Sequence, residues 1–190
     1  MVANQETRQG SRSVPPPPLP RNFTDPIDFL AHEHARQEWL CDVLETIADG
    51  LPGTLECALA AMVADALKVD VPLHHQDEEQ GLFPLLAERA APEDNVEAMI
   101  RQLNREHLAD DTYSTDLIDL LDALAVGQIP LNPEMAGYMI RGFFESYRRH
   151  IAFENIVILP LARVRLTQGD LQKLLACIQS RRRKMAIGRG

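Results

Sequence analysis

Apolar residues recur every three or four positions through four long stretches of this chain, and strand-like alternation is nowhere sustained. The pattern predicts an all-α protein. Asp25-Pro26 opens a first helix with an N-cap residue and a proline at the first helical position; Ile27, Leu30, Leu40, Leu44 and Ile47 form its apolar face, and Asp49-Gly50 and Pro52 end it. A second helix is expected from about Pro52 to about Ala90, kinked or broken at Pro72 or Pro84. Pro92-Glu93-Asp94 opens a third, acidic in its first turn, which carries Ile100, Leu103, Leu117, Ile118, Leu121 and Leu124 and stops at Gly127. Asn132-Pro133 caps a fourth that reaches Pro160 or slightly beyond. Thr167 and Asp170 signal a short fifth helix from Gln168 to about Arg182. The predicted architecture is an up-down-up-down four-helix bundle over residues 23–190, with the fifth helix at its end.

Residues 1–22 read as a disordered Pro-rich tail, since Pro15–Pro18 and Pro20 favour polyproline II and need no core.

The histidines change the picture. Four of the six, one in each predicted helix, form pairs with an acid four residues on: His34/Glu38, His74/Glu78, His107/Asp111 and His150/Glu154. Residues four apart share a helix face, and each pair falls in a different predicted helix. In an antiparallel bundle His74, His107 and His150 come to nearly the same height. His34 matches only if the turn near Pro52 is longer than it looks or Pro72 kinks its helix, because the two arms differ by five residues. The chain also repeats itself. His74-x3-Glu78-x4-Phe83-Pro84-Leu85 and His150-x3-Glu154-x4-Leu159-Pro160-Leu161 share one pattern, and aligning the prolines selects His74 over His75 and Glu78 over Glu79.

One His-x3-acid pair is ordinarily a surface ion pair of ~0.2–0.5 kcal/mol. Four of them, one per helix and at one level, point to a metal site in the bundle interior. Imidazole with carboxylate suits iron, manganese or zinc. His32 and His75 read as solvated or as groups that hold a ligand in place.

Composition narrows the partners. The 190 residues carry a formal charge of −9, and the stretch between the tail and residue 181 holds 27 acids against 11 bases. An acidic body argues against nucleic acid. No apolar run approaches the ~20 residues of a membrane span, and residues 1–22 hold no apolar stretch that could serve as a signal peptide, which makes the cytoplasm the parsimonious location. Cys41, Cys57 and Cys177 show no paired spacing and read as reduced packing residues. The run Arg181–Lys184 reads as a solvated helix end.

The chain resembles hemerythrin-like proteins of the HHE cation-binding group over roughly residues 25–165. The resemblance rests on Glu33-His34, His74-x3-Glu78 with Leu82-Phe83-Pro84, Glu106-His107, and His150-x3-Glu154 with Leu159-Pro160. It implies two iron ions, with manganese or zinc as possible substitutes, held by His34, His74, Glu78, His107, His150 and Glu154, the two glutamates bridging. Asp111, Glu38, His75, Glu79 and His32 are candidates for further ligands or for groups around them. In oxygen-carrying members the position of Asp111 holds a second histidine of the third helix. An anionic ligand there would favour ferric iron over reversible oxygen carriage. The resemblance then implies sensing or binding of oxygen, nitric oxide or peroxide, or iron handling. A ferroxidase or peroxide-reducing enzyme is a second reading. A metal-free helical interaction module, docking through Pro15–Pro20 and the fifth helix, is a third. Monomer and homodimer are both open. If metal were removed, repulsion between Glu78 and Glu154 is expected to raise the pKa of one of them.

Overall fold

The computed structural model describes residues 15–20 and 22–188. Among them every regular element is helical: α1 (Pro26–Gly50), α2 (Cys57–Asp77), α3 (Phe83–Arg89), α4 (Val96–Ala125), α5 (Pro133–Phe153), α6 (Leu159–Arg165) and α7 (Gln168–Gly188). A five-residue π-helical turn, Glu78–Leu82, joins α2 to α3, and a second, Glu154–Ile158, joins α5 to α6. α1 packs against α2 and α5, and α4 packs against α2 and α5, so these four helices surround one interior.

The local signals act as the sequence predicts. Asp25 Oδ1 accepts from the backbone N–H groups of Ile27 and Asp28 at 2.8 and 3.0 Å, with Pro26 in the first turn. Asn132 Oδ1 caps α5 through Met135 N at 3.0 Å. Thr167 and Asp170 form a reciprocal cap, Asp170 N donating to Thr167 Oγ1 at 3.2 Å and Thr167 N to Asp170 Oδ2 at 3.1 Å. Gly127 takes a left-handed φ of 79° just past α4, as a helix-stop glycine does.

Three expectations change. The second helix starts at Cys57, not near Pro52, and runs unbroken through Pro72. That delay resolves the level mismatch: His34 now lies 16 residues before the end of α1, and His74 17 residues after the start of α2. Pro84 does perturb its helix, and Pro160 does the same in the second repeat. Each proline lacks the N–H that would close an α-helical bond and crowds the preceding turn. The chain widens there, and the N–H groups of Phe83 and Leu159 reach back five residues to the carbonyls of Glu78 and Glu154. Finally, Pro92–Asp94 is an isolated 3-10 turn cut off from α4 by left-handed Asn95 (φ 53°). Asp94 accepts from Ala91 N at 2.7 Å instead of opening α4.

The interior has two apolar parts. One holds Leu40, Leu44, Val63, Leu67, Leu117, Leu121, Ile140 and Phe143; the other holds Ile27, Leu30, Leu82, Leu86, Leu103, Ile158, Leu174 and Ile178. Along the chain each paired histidine lies between residues named for the two parts: Leu30 and Leu40 flank His34, Leu67 and Leu82 flank His74, Leu103 and Leu117 flank His107, and Phe143 and Ile158 flank His150. The fifth helix is longer than expected and packs on α1, α2 and the first π-turn. The expected tail lies outside the described residues at 1–14 and Arg21. Residues 15–20 have no regular structure but touch the bundle: Arg36 Nη1 donates to Pro17 O at 2.9 Å, and Leu19 packs on the second apolar part.

Candidate metal centre

His34, His74, His107 and His150 come from α1, α2, α4 and α5, and their Nε2 atoms meet between the two apolar parts with the carboxylates of Glu78 and Glu154. Glu78 is the first residue of one π-turn and Glu154 the first of the other. The six residues form two groups that share both glutamates. One is His34, His74, Glu78 and Glu154; the other is Glu78, His107, His150 and Glu154; within each, the ligand atoms lie within 4.8 Å of one another. Glu78 reaches His34 at 3.6 Å, His74 at 3.3 Å and His107 at 3.4 Å. Glu154 reaches His34 and His150 at 3.3 Å and His107 at 3.9 Å. Each carboxylate therefore spans both histidine pairs. All six side chains are buried.

A ring of polar groups orients the imidazoles. His34 Nδ1 pairs with Asn155 Oδ1 at 2.7 Å, His74 Nδ1 with Glu33 Oε2 at 3.2 Å, His107 Nδ1 with Glu79 Oε1 at 2.9 Å, and His150 Nδ1 with Glu106 Oε2 at 3.0 Å. An acceptor at every Nδ1 assigns the proton to that nitrogen and turns the Nε2 lone pair inward. The inward nitrogens then face each other, His34 to His74 at 3.2 Å and His107 to His150 at 3.1 Å. All four carboxylate oxygens of Glu78 and Glu154 are buried with no hydrogen-bond partner. A buried, unpaired carboxylate costs several kcal/mol even after relaxation. Lone pairs and anionic oxygens converging on two points are what two cations would neutralise, so the donor set fits a dinuclear metal group.

Without metal, the balance of burial and charge favours protons on His34, His107 and His150 over the two glutamates. Burial alone pushes Glu78 up, but the neighbouring imidazoles of His74, His107 and His34 outweigh it and hold the carboxyl well below its usual range. Burial and the Glu78 charge push Glu154 up, and His150 and His34 bring it down to a net lowering. Burial disfavours the charged imidazoles, yet the two glutamates raise His34 and His107, and His150 is raised to about 9. The expected rise of one glutamate pKa in the metal-free protein is therefore wrong. The imidazoles packed between the carboxylates outweigh the pair's mutual repulsion.

The other candidates divide. Glu38 is exposed and belongs to neither group, because the buried stripe of α1 runs Leu30, Glu33, His34, Gln37, Leu40, Cys41 and leaves Glu38 outside. His32 is exposed and its Nδ1 pairs with the Asp28 carbonyl of its own helix at 2.6 Å. Glu79 holds His107. Asp111 is exposed, and its Oδ1 accepts from His75 Nδ1 at 3.1 Å rather than joining either group. Position 111 therefore offers no anionic ligand that would favour ferric iron. His75 is not solvated: it is buried, stacked on the His107 ring at 4.0 Å, and its Nε2 has no partner. Burial lowers its pKa.

Sequence reasoning missed the work of Glu33, Glu106 and Asn155, although each adjoins a candidate ligand. It also missed a buried polar flank of Asp110, Ser114 and Tyr147. Burial raises the Asp110 carboxyl to about 6 against the opposing charges of His150 and His107, and Tyr147 stacks parallel to His150 at 6.0 Å. The Arg181–Lys184 run is not simply a solvated end. Arg181 pairs with buried Asp77 at 3.2 Å, and Arg182 pairs with Asp77 at 2.6 Å and with Glu33. Cys41, Cys57 and Cys177 are unpaired thiols. Among the described residues no helix is long and apolar enough to cross a membrane.

No curated protein gives a significant match to the chain. The family profile described as the hemerythrin HHE cation binding domain matches residues 25–162, which contain all four histidines and both glutamates. The chain belongs to the hemerythrin HHE cation-binding domain family.

Proposed function

We propose that this protein is a non-haem di-iron protein built on an up-down-up-down four-helix bundle. His34 and His74 hold one ion, His107 and His150 the other, and Glu78 and Glu154 bridge them. Manganese or zinc are possible substitutes for iron, since all three accept imidazole with carboxylate. One observation carries the reading: two fully buried glutamates with four unpaired oxygens lie among four inward-facing imidazole nitrogens.

Each ion would receive two nitrogens and two shared carboxylates. That falls short of the ~5–6 ligands iron accepts, and open positions suit a small exogenous ligand. The bound ions would supply reversible redox and Lewis-acid chemistry at those positions. The chain supplies the rest. Glu33, Asn155, Glu79 and Glu106 fix the imidazole tautomers, and the two apolar parts keep water from the centre. We read the output as binding or sensing of oxygen, nitric oxide or peroxide, or as iron handling. Equal numbers of imidazole and carboxylate donors per ion also favour a ferroxidase or peroxide-reducing activity, which turnover with ferrous iron and oxygen would reveal.

The test is metal analysis of full-length protein expressed with iron. About two ions per chain are expected. Folded protein that binds no iron, manganese or zinc would overturn the reading and leave the metal-free interaction module.

A further inference from the structure

The family match ends at residue 162, and α7 lies beyond it. Yet α7 reaches toward the centre on one side only. It packs on α1, α2 and the first π-turn, where Gly81 makes room: a Cβ there would sit 2.8 Å from Leu174 Cδ1. The matching position of the second repeat is Val157.

From this seat Arg182 forms an ion pair with Glu33 Oε1, while Glu33 Oε2 accepts from His74 Nδ1 at 3.2 Å. The guanidinium also meets Asp77 at 2.6 Å and lies over the Phe29 ring at 5.3 Å. The Glu33 carboxylate is thereby held at both oxygens, by a cation on one side and by the ligand imidazole on the other. Among the described residues no such cation holds the carboxylates of the other half. Glu106, which holds His150, receives a bond from Gln102 Nε2 at 2.6 Å, a flexible neutral group of its own helix.

We infer that Arg182 is a positioning residue for metal in the His34/His74 half of the centre. Acting through Glu33 on His74, it makes the docking of α7 set the ligand geometry of that half and not of the other. The inference rests on the dinuclear reading above.

The test is titration of metal-free, full-length protein with Co2+, followed by visible absorption and by bound metal. Two backgrounds separate the halves: His107→Ala leaves the His34/His74 half intact, and His34→Ala leaves the His107/His150 half. Arg182→Gln should weaken Co2+ binding about tenfold or more in the first background, the usual size of losing a ligand's outer support. It should leave the second unchanged. Arg181→Gln loosens α7 at Asp77 without touching Glu33 and should change neither. If Arg182→Gln does not fold, Arg182→Lys keeps the charge but serves two carboxylates with one ammonium, and a smaller loss confined to the first background is expected. Equal effects in both backgrounds, no effect in either, or an Arg181→Gln loss matching that of Arg182→Gln would overturn the inference. Failure of the unsubstituted chain to bind Co2+ would overturn the dinuclear reading itself.

Discussion

Glu33 accepts a hydrogen bond from His74, on the neighbouring helix, and not from His34, its neighbour in sequence. The same displacement repeats around the bundle. Glu79, beside Glu78, holds His107; Glu106, beside His107, holds His150; Asn155, beside Glu154, holds His34. Each helix thus supplies a residue that faces the centre and, one position away, a residue that aims the next helix's imidazole. One position is a rotation of about 100° on a helix, enough to move from the bundle axis to the seam between helices.

The bridging glutamates should be the least replaceable residues. Glu78→Gln and Glu154→Gln each remove an anionic oxygen from both ions while keeping side-chain volume. Bound metal is expected to fall from two ions per chain to one or none, read by elemental analysis after gel filtration. Two ions retained in both variants would show that the glutamates do not bridge.

The register on α2 can be tested directly. His74→Ala should reduce metal loading by about one ion and weaken it at least tenfold. His75→Ala should keep two ions, because Asp111 and not a metal pairs with its Nδ1, but should melt lower through loss of the stack on His107. Metal lost in His75→Ala and kept in His74→Ala would place the ligand one residue later.

Acidity should act on the metal-free protein in a stated direction. His34, His107 and His150 are raised by their carboxylate neighbours, so their stabilisation is fully present below the ordinary imidazole pKa of ~6.5 and is lost as pH rises, for His150 through about 9. Glu78 and Glu154 are lowered, so their contribution is lost only as pH falls below the ordinary carboxylate range. Chelator-treated protein should therefore melt higher at pH 5.5 than at pH 9. Metal must displace those same protons, so loaded protein should show the opposite trend, and the gap between the two forms should be widest at high pH. At pH 7.5 a gap of roughly 10 °C is expected for metal well above its dissociation constant. Coincident melts at pH 9 would contradict the placement of protons on the imidazoles.

Gly81 offers a packing test that leaves the ligands alone. Gly81→Val installs the residue of the matching repeat position where a Cβ would crowd Leu174 of α7. Overpacking of this kind costs about 1–3 kcal/mol. Urea unfolding should show that loss, whereas Gly142→Ala, whose new Cβ meets the hydroxyl of exposed Tyr113 at 3.1 Å, should cost less. Equal costs would mean that α7 does not need the bare backbone at Gly81.

Much of this protein could be read from its residues alone. Asp25-Pro26, Asn132-Pro133 and Thr167/Asp170 mark helix starts because caps are local: a side chain bonds a backbone N–H two or three residues away, and no distant partner is required. The repeat around Pro84 and Pro160 selected His74 and Glu78 because a proline perturbs the turn before it wherever the helix packs. Tertiary structure alone decided the rest. Glu38 and Asp111 have the same four-residue spacing as Glu78 and Glu154, but spacing sets only the face a residue shares, and the neighbouring helices decide whether that face turns inward or to solvent. Arg182 looks like part of a solvated basic run, because nothing local records that α7 folds back to place it against Glu33 and Asp77, 149 and 105 residues earlier in the chain. Contacts of that range depend on where helices pack, which the periodicity of one helix does not encode.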